Sequence, residues 1–405
     1  MVLKVLALDI EGGHGGSSKS LYTSILYLDQ TAINVEVWCK RQGVTKGYYD
    51  DIGVRCYVKP DMPKVSALPK LSRNIFVHLK FLWQFFQARR FRAELLHEIN
   101  DRFDVVHFNH EALAWLGLWL RPRTNAGFVF HNRTMLQHTL FARAQIRAIN
   151  SAADGTVYIT ENEQNNARSL GIKNSGKVIY NSVVRYKKFI KCHELVEDRT
   201  TFKVCCLSNF SWNRGGDRLI EVAEILKSWK RTDVQFVMLG EVTLSGSLPG
   251  ELGKIAKNGG NLVDYAISRG VGDMFLFLGH MSEPETVLLG CNTVAKPSRE
   301  LNPWGRDILE GMAMGKPIIG IGSYEGFVKN GETGFLLPKY DAEKFAERIV
   351  YLVDNPQKAT RMGLNARKLV EEQCNGIERA HDLTQVWQKV WYLRNSSEKF
   401  GFDNR

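Results

Sequence analysis

The sequence contains no hydrophobic run long enough to cross a membrane. Its first apolar stretch, VLKVLALDI at residues 2–10, is short and is interrupted by Lys4 and Asp9. A membrane-spanning helix needs about 20 apolar residues, and a secretion signal needs an uncharged core of about 7–15 residues at this place. We therefore expect a cytoplasmic protein.

Cysteines at C-x-x-C spacing are also missing. Seven cysteines are scattered along the chain, and no two of them form a C-x-x-C pair. Zinc sites and dithiol redox sites commonly use such pairs, so the sequence gives no sign of either kind of site. We expect reduced thiols that act as small, buried hydrophobic side chains. The seven are Cys39, Cys56, Cys192, Cys205, Cys206, Cys291 and Cys374.

Positive charge, in contrast, is in excess. The 405 residues include 54 Lys and Arg against 43 Asp and Glu, which gives a net charge of +11. Such an excess favours an acidic partner, which could be nucleic acid, an anionic membrane or a phosphorylated small molecule. The length favours two domains, because a single hydrophobic core stops growing at about 250–300 residues.

Basic and aromatic residues are interspersed between residues 70 and 100. A helix of this composition suits an anionic membrane surface. The alternative is an ordinary domain helix, whose positions 75, 79, 82 and 86 face a core while its arginines are solvated. Nucleic acid is disfavoured as the partner, because no RNA- or DNA-binding motif lies nearby.

Short, continuous apolar runs that alternate with helical patterns predict an α/β protein with parallel sheets buried on both faces. The first run leads into the glycine-rich EGGHGG and then into a helix, and TFKVCCLSNF followed by SWNRGGDRLIEVAEIL repeats this order. The repetition predicts two Rossmann-like domains in tandem. We place them at residues 1–195 and 196–375, with a C-terminal helix at 376–405 that packs back toward the first domain.

Two glycine-rich turns could bind a phosphate. Gly15 and Gly16 precede a helix whose unpaired N–H groups attract anions, although a tight structural turn is the alternative. Arg214 lies beside two glycines at the start of the second domain. Its planar guanidinium suits bidentate phosphate binding, although an exposed loop arginine is the alternative.

Charge is concentrated again in PSRELNPWGRDILEGMAMGKPIIG, residues 297–320, where a polar turn enters an apolar helix. Glu310 falls in the first turns of that helix, and its two carboxylate oxygens match the vicinal hydroxyls of a ribose. Arg306 lies four residues earlier, where it can accompany a phosphate at the helix start. A solvated ion pair between Arg306 and Glu310 is the alternative.

Taken in order, these segments resemble the retaining glycosyltransferases of the GT-B fold, in particular family 4. The resemblance rests on GGHGG, DVVHFNH, VFHN, PSRELNPWGRDILEGMAMGKPIIG and EGFVKNGETGFLLP, and it spans nearly the whole chain. It implies two Rossmann-like domains that face each other across a cleft. The N-terminal domain would bind the acceptor, and the C-terminal domain would bind a nucleotide-diphosphate sugar.

The resemblance also implies roles for single residues. Glu310 corresponds to the second glutamate of the family's E-x7-E motif, which binds the donor ribose, and Asn302 stands where the first glutamate contacts the donor sugar. Arg214 corresponds to the lysine of a diphosphate-binding arginine and lysine pair, and Asn209 stands at the arginine position. The diphosphate would then be held by Arg214, Arg306 and helix N-termini, with Gly16 approaching from the first domain.

His131 corresponds to a histidine near the transferred sugar, and a core histidine satisfied by the backbone is the alternative reading. The resemblance implies a reaction that moves a hexose-type sugar from a nucleotide-diphosphate donor, expected to be UDP-linked, to a hydroxyl of a glycan, lipid-linked or polysaccharide acceptor with retention. The sequence has no Asp-x-Asp pair, and the family generally needs no metal, so no cofactor is expected.

Two alternatives to a transferase stay open at this point. One is a nucleotide-sugar epimerase on the same fold, and the other is a nucleotide-sugar-binding scaffold without turnover. If residues 70–100 bind lipid, the expected location is the inner face of the membrane.

Overall fold

The computed structural model describes residues 2–12, 16–65, 75–183, 191–197, 200–281 and 283–399. The chain divides into two compact units, which we call the N-terminal unit (residues 1–184 and 374–405) and the C-terminal unit (residues 185–373). The divisions therefore fall at 184/185 and 373/374, where the sequence suggested 195/196 and 375/376. Each unit is built on one parallel sheet, as the sequence predicted.

The N-terminal unit contains seven parallel strands within the described residues. They are β1 (Leu3–Asp9), β2 (Ile33–Cys39), β3 (Arg55–Val58), β4 (Val105–Phe108), β5 (Gly127–Asn132), β6 (Gly155–Tyr158) and β7 (Lys177–Val178). Their order in the sheet is β3-β2-β1-β4-β5-β6-β7. All residues of β4 and β5 are buried, because helices cover both faces of the sheet.

Helices connect these strands, as parallel pairing requires. Thr139 and Thr160 begin two of them, each accepting a hydrogen bond from a backbone N–H of the first turn. The helices are α1 (Gly16–Leu26), α2 (Thr45–Asp51), α3 (Ile75–Gln87), α4 (Arg89–Arg102), α5 (Ala114–Leu120), α6 (Leu140–Ala152) and α7 (Glu161–Ser169).

The basic and aromatic segment forms α3 and α4, and its residues 70–74 lie outside the described part of the chain. Ile75, Leu79, Leu82 and Phe86 are 54–66% exposed, and Phe81 is the buried residue of α3. The expectation that positions 75, 79, 82 and 86 face a core is therefore wrong. Helical periodicity reveals an apolar stripe but not whether anything covers it.

The C-terminal unit contains six parallel strands within its described residues, β8 (Phe202–Leu207), β9 (Val234–Leu239), β10 (Phe275–Gly279), β11 (Thr293–Lys296), β12 (Ile318–Ile321) and β13 (Gly334–Leu337). Their order is β10-β9-β8-β11-β12-β13. The helices between and after them are α8 (Arg218–Ser228), α9 (Gly250–Lys257), α10 (Leu262–Ser268), α11 (Pro284–Gly290), α12 (Arg306–Ala313), α13 (Ala342–Asp354) and α14 (Pro356–Gln373).

The last helix, α15 (Gly376–Lys399), belongs to the N-terminal unit. Trp387 and Val390 are buried against the same core as the valines of the central strands. Val390 packs on Gly127 and Gly155, which begin β5 and β6, and a Cβ at either glycine would collide with it. Across the described residues, no helix is both long and apolar enough to span a bilayer.

Candidate active site

A concave pocket opens at the carboxyl ends of β8 and β9 in the C-terminal unit. This edge is where a doubly wound sheet binds ligands. The pocket brings Asn209 and Arg214 together, whereas Arg306 and Glu310 are not part of its lining. The lining residues are Ser208, Asn209, Phe210, Arg214, Gly216, Met238, Leu239, Gly240, Glu241, Val242 and Leu262.

Asn209 and Arg214 play different structural parts in this pocket. The Asn209 side-chain oxygen accepts a hydrogen bond from the Glu241 backbone N–H at 2.9 Å, so it ties the β8 loop to the β9 loop. Arg214 is 51% exposed, and its Nη1 lies 3.7 Å from Asp307 Oδ2. Arg214 is therefore a solvent-facing cation in the pocket lining, and Asn209 is part of the pocket wall.

The loop that leads into α12 is fixed to the loop that carries Arg214. Arg299 makes a bidentate ion pair with Asp217, at 2.8 and 2.5 Å, and stacks on the Trp212 ring. Arg218 donates to the carbonyl oxygens of Pro297 and Ser298, each at 3.1 Å. These bonds hold the PSRE segment beside the pocket.

Asn302 and Gly305 shape the turn directly before α12. The Asn302 side-chain oxygen accepts from the Trp304 N–H at 3.3 Å, as asparagine commonly does in turns. Gly305 has a φ of +148°, and a Cβ there would lie 2.7 Å from Asp307 Oδ1 and 2.8 Å from Lys296 Nζ. Only glycine fits this position without strain.

Arg306 and Glu310 form an ion pair along α12, with Nε and Nη2 of Arg306 3.2 and 3.0 Å from Glu310 Oε1. The side chains are 11% and 9% exposed. The solvated pair considered from the sequence is therefore wrong, because the pair is formed but buried. Arg306 Nη1 is also buried and has no hydrogen-bond partner. A buried guanidinium donor without a partner suggests a site for a ligand oxygen.

Sequence reasoning missed Lys296, the last residue of β11. Its buried ammonium donates to Trp304 O at 2.6 Å and to Asp307 Oδ1 at 2.9 Å. Burial lowers the pKa of Lys296, and the Asp307 carboxylate opposes that shift. The signal available in the sequence was a lysine at the end of an otherwise apolar strand, directly before PSRE.

The sheet edge of the N-terminal unit carries a second polar cluster. Gly16 begins α1, while Gly15 lies outside the described residues. Asp9, at the end of β1, accepts from the Ser18 hydroxyl and, at 3.2 Å, from the Asn109 amide. Burial raises the pKa of Asp9. The start of α1 is thus joined to the end of β4 through a buried carboxyl group.

His131, near the end of β5, belongs to this cluster. Arg133 Nη2 lies 3.2 Å from His131 Nδ1, and a guanidinium can only donate, so Nδ1 accepts and the proton is on Nε2. His131 Nε2 is buried and has no hydrogen-bond partner. Burial, and then the positive charge of Arg133, place the pKa of His131 well below its usual value. His131 is therefore a neutral donor at physiological pH.

Arg133 was also missed from the sequence, although it directly follows VFHN. It donates to the side-chain oxygens of Asn109, at 2.9 and 2.6 Å, and of Asn181, at 3.1 Å. Its backbone N–H donates to Glu111 Oε2 at 3.0 Å. Arg133 thus joins the ends of β4, β5 and β7 around His131.

The predicted site residues accordingly fall into two groups. His131 and Gly16 lie in the N-terminal unit. Asn209, Arg214, Asn302, Arg306 and Glu310 lie in the C-terminal unit, all on the loops and helix starts that follow β8 and β11.

Family models match both units of the chain. The model described as "Glycosyltransferase Family 4" matches residues 14–184, and "Glycosyl transferases group 1" matches residues 190–369. The chain belongs to the family 4-like glycosyltransferases of the GT-B fold. The predictions of family and fold are confirmed by these matches.

Individual relatives are distant. The poly(ribitol-phosphate) α-N-acetylglucosaminyltransferase of Staphylococcus aureus is 25% identical over 54% of this chain and 41% of its own length. The capsular polysaccharide biosynthesis glycosyltransferase CapM of Staphylococcus aureus is 24% identical over 68% of each chain. The chain thus spans about two fifths of the first relative's length.

A solved structure shares the whole fold. HepE of Anabaena in complex with UDP superposes with a TM-score of 0.74 and 19% identity, over 96% of this chain and 100% of that one. At that identity the likeness establishes the GT-B fold of this glycosyltransferase.

Proposed function

We propose that this glycosyltransferase moves a hexose-type sugar from a UDP-linked donor to a hydroxyl group, with retention at the anomeric carbon. The observation that carries the proposal is the buried Arg306–Glu310 pair at the start of α12, beside the half-exposed Arg214. Helix starts attract phosphate, and a carboxylate matches the two hydroxyls of a ribose. A nucleoside diphosphate has both groups.

In this proposal, each polar side chain of the site has a separate role. Glu310 accepts from the ribose hydroxyls, while Arg214 and the N–H groups at the start of α12 stabilise the charge that develops on the leaving diphosphate. Arg306 pairs with Glu310 and offers Nη1 to a ligand oxygen. Asn302 can both donate to and accept from a sugar hydroxyl, which a glutamate at this position could not do.

The chemical step needs no protein nucleophile. The bond from the anomeric carbon to the diphosphate oxygen breaks, the acceptor oxygen bonds to the same face of that carbon, and the acceptor proton passes to the departing diphosphate. The enzyme supplies positioning and charge stabilisation. His131, as a neutral Nε2–H donor, suits a sugar hydroxyl or ring oxygen better than a phosphate, which a cation binds more strongly.

We propose a glycan, lipid-linked or polysaccharide acceptor. The relatives are named for poly(ribitol phosphate) and capsular polysaccharide, which supports a polymeric or anchored acceptor. The exposed apolar face of α3 supports an enzyme that works at a cytoplasmic membrane surface. On that face Phe76 and Trp83 are 76% and 63% exposed, and Arg89 and Arg90 follow at the start of α4. This arrangement suits insertion among anionic lipid headgroups.

No metal is expected in this reaction, and that stays a prediction. Among the described residues, no three His, Cys, Asp or Glu side chains are grouped closely enough to hold an ion. Turnover in the presence of excess EDTA would test the prediction directly, since a metal-dependent transferase would stop.

The test of the proposed function has two stages. UDP-, GDP-, ADP- and TDP-sugars are screened for an increase in the melting temperature, because a ligand that binds only the folded state stabilises it. The stabilising donor is then incubated with glycan and lipid-linked acceptors, and the anomeric configuration of the product is read by NMR. Selective stabilisation by UDP-sugars and a retained configuration are expected. Stabilisation by another nucleotide alone, or an inverted product, would contradict the proposal.

A further inference from the structure

Asp307 presents an electrostatic problem for a diphosphate site. It lies in the first turn of α12, where the proposed function places the donor's negative charge, and its Oδ2 is 3.7 Å from Arg214 Nη1. A carboxylate at that distance competes with a phosphate for the same guanidinium.

Lys296 engages Asp307 more closely than Arg214 does. The Lys296 ammonium is 2.9 Å from Asp307 Oδ1, a charge-assisted hydrogen bond, whereas the Arg214 contact is longer than a hydrogen bond. Both partners of the closer pair are mostly enclosed, with 8% and 11% of their side chains exposed, while Arg214 is 51% exposed. The enclosed pair is fixed and Arg214 remains available.

Lys296 also fixes the loop that precedes the helix. Its second hydrogen bond goes to Trp304 O, and Gly305 leaves the space that the ammonium and the carboxylate occupy. One buried side chain thus links the end of β11, the turn that contains Asn302, and the first turn of α12. Lys296, Asp307 and Arg214 together carry one net positive charge.

We propose that Lys296 is a positioning residue of the donor site, which engages Asp307 in the closer ion pair and so leaves Arg214, in the looser contact, able to bind the donor diphosphate. This inference rests on the proposed function. It assigns a role to a residue that is not proposed to contact the donor. It also implies that the effect of replacing Lys296 on UDP affinity depends on the presence of Asp307.

The test compares a single and a double variant of the full chain, with UDP and uridine as probes. In Lys296→Met, Asp307 loses its partner and pairs with Arg214. The affinity for UDP should then fall by about 10- to 100-fold, while the affinity for uridine, which has no phosphate, should change little. In Lys296→Met with Asp307→Leu, both charges are gone and the affinity for UDP should return to within about threefold of the parent.

Affinities are measured by calorimetry, and folding is checked by circular dichroism and melting temperature. If Lys296→Met does not fold, Lys296→Gln removes the charge and keeps a hydrogen-bond donor. Arg269→Met is the matched control, because it breaks a half-buried bidentate pair with Glu224 in the same unit. The control should lower the melting temperature and leave the UDP-to-uridine affinity ratio unchanged.

Different failures have different meanings. If the parent binds UDP and the folded single variant binds it equally well, the role of Lys296 is wrong and the proposed function stands. The role is also wrong if the double variant binds UDP as weakly as the single one, or if UDP and uridine weaken equally. If the parent binds no nucleoside diphosphate, the proposed function fails and this inference fails with it.

Discussion

The two units place polar groups at the same edge of similar sheets, but they use them differently. In the C-terminal unit, ion pairs surround the start of α12, namely Arg306 with Glu310 and Lys296 with Asp307. In the N-terminal unit, the buried Arg133 donates to amide oxygens and to a neutral histidine. One edge is thus built around ion pairs, whereas at the other edge the buried Arg133 guanidinium donates to neutral side chains.

This difference indicates a division of labour. Opposed charges that are held in place can stabilise a diphosphate without reorganising, whereas neutral groups suit sugar hydroxyls, which are neutral themselves. We therefore expect changes in the C-terminal cluster to alter donor affinity, and changes in the N-terminal cluster to alter turnover. Four experiments test this comparison.

The largest effect is expected at His131. Replacing His131 with Ala removes the Nε2–H donor, and the loss of one such donor typically lowers kcat by about 10²- to 10³-fold. The affinity for UDP, measured by calorimetry, should stay within about threefold of the parent, because the residues proposed to bind UDP lie in the C-terminal unit and His131 does not. A threefold change in affinity corresponds to less than about 1 kcal/mol. An equal loss of UDP affinity would remove the distinction between the two clusters.

The next effect is expected at Glu310. Glu310→Ala should weaken UDP binding by about 10- to 100-fold even without acceptor, because it deletes charge-assisted hydrogen bonds to the ribose and leaves Arg306 unpaired. The matched control is Glu343→Ala, an exposed carboxylate on α13 of the same unit. Unchanged UDP affinity in Glu310→Ala would exclude Glu310 from the donor site.

A smaller effect is expected at the two arginines that follow the exposed face of α3, at the start of α4. Reversing Arg89 and Arg90 to Glu should lower binding to phosphatidylserine vesicles by about tenfold or more, since each basic residue near an anionic surface contributes about 1 kcal/mol. Arg92 is left in place, because its guanidinium stacks on the rings of Phe85 and Trp119 at 4.3 and 4.7 Å.

The control for the vesicle experiment reverses the same charge elsewhere. Arg361→Glu with Lys368→Glu alters the exposed side of α14 in the C-terminal unit and should leave vesicle binding nearly unchanged. If the parent does not bind anionic vesicles in co-sedimentation, or if both double variants behave alike, the membrane proposal is wrong.

The smallest effect concerns stability and pH. Burial depresses the pKa of His131, so the unfolded chain takes up a proton near pH 6.5 and the folded chain does not. The stability of the folded state should therefore fall as the pH decreases below about 6.5. His131→Asn should reduce this slope by up to about 1.4 kcal/mol per pH unit, as measured by urea unfolding.

Below about pH 6.5, other buried groups also bind different numbers of protons in the folded and unfolded chains. The pKa of His107 is lowered to about 3 and that of Glu163 is raised to about 8, with opposite effects on the slope. The prediction is therefore the difference between parent and variant, and identical slopes would show that His131 is not neutral in the folded protein.

The strands and the start of α12 were predictable because their signals are local. A continuous apolar run such as β5 has few alternatives to a buried parallel strand, and the polar turn before Arg306 marks a helix start. Glu310 could be placed on that helix because it lies four residues, about one helical turn, after Arg306.

Arg133, Lys296 and the face of α3 were not predictable for the opposite reason. The sequence does not reveal whether a long charged side chain turns inward, because that depends on partners such as Asn109 and Asp307 that are distant in the chain. The stripe of α3 looks the same whether it is covered or exposed.

The position of α15 has a consequence for the order of events during synthesis. Trp387 and Val390 complete a core that is otherwise made by the first 180 residues or so of the chain. The backbone at Gly127 and Gly155 stays uncovered until Val390 packs on it. Domains generally fold as the chain emerges, N-terminal first. Here the strands of the N-terminal unit must wait for α15, which is translated only after the whole C-terminal unit.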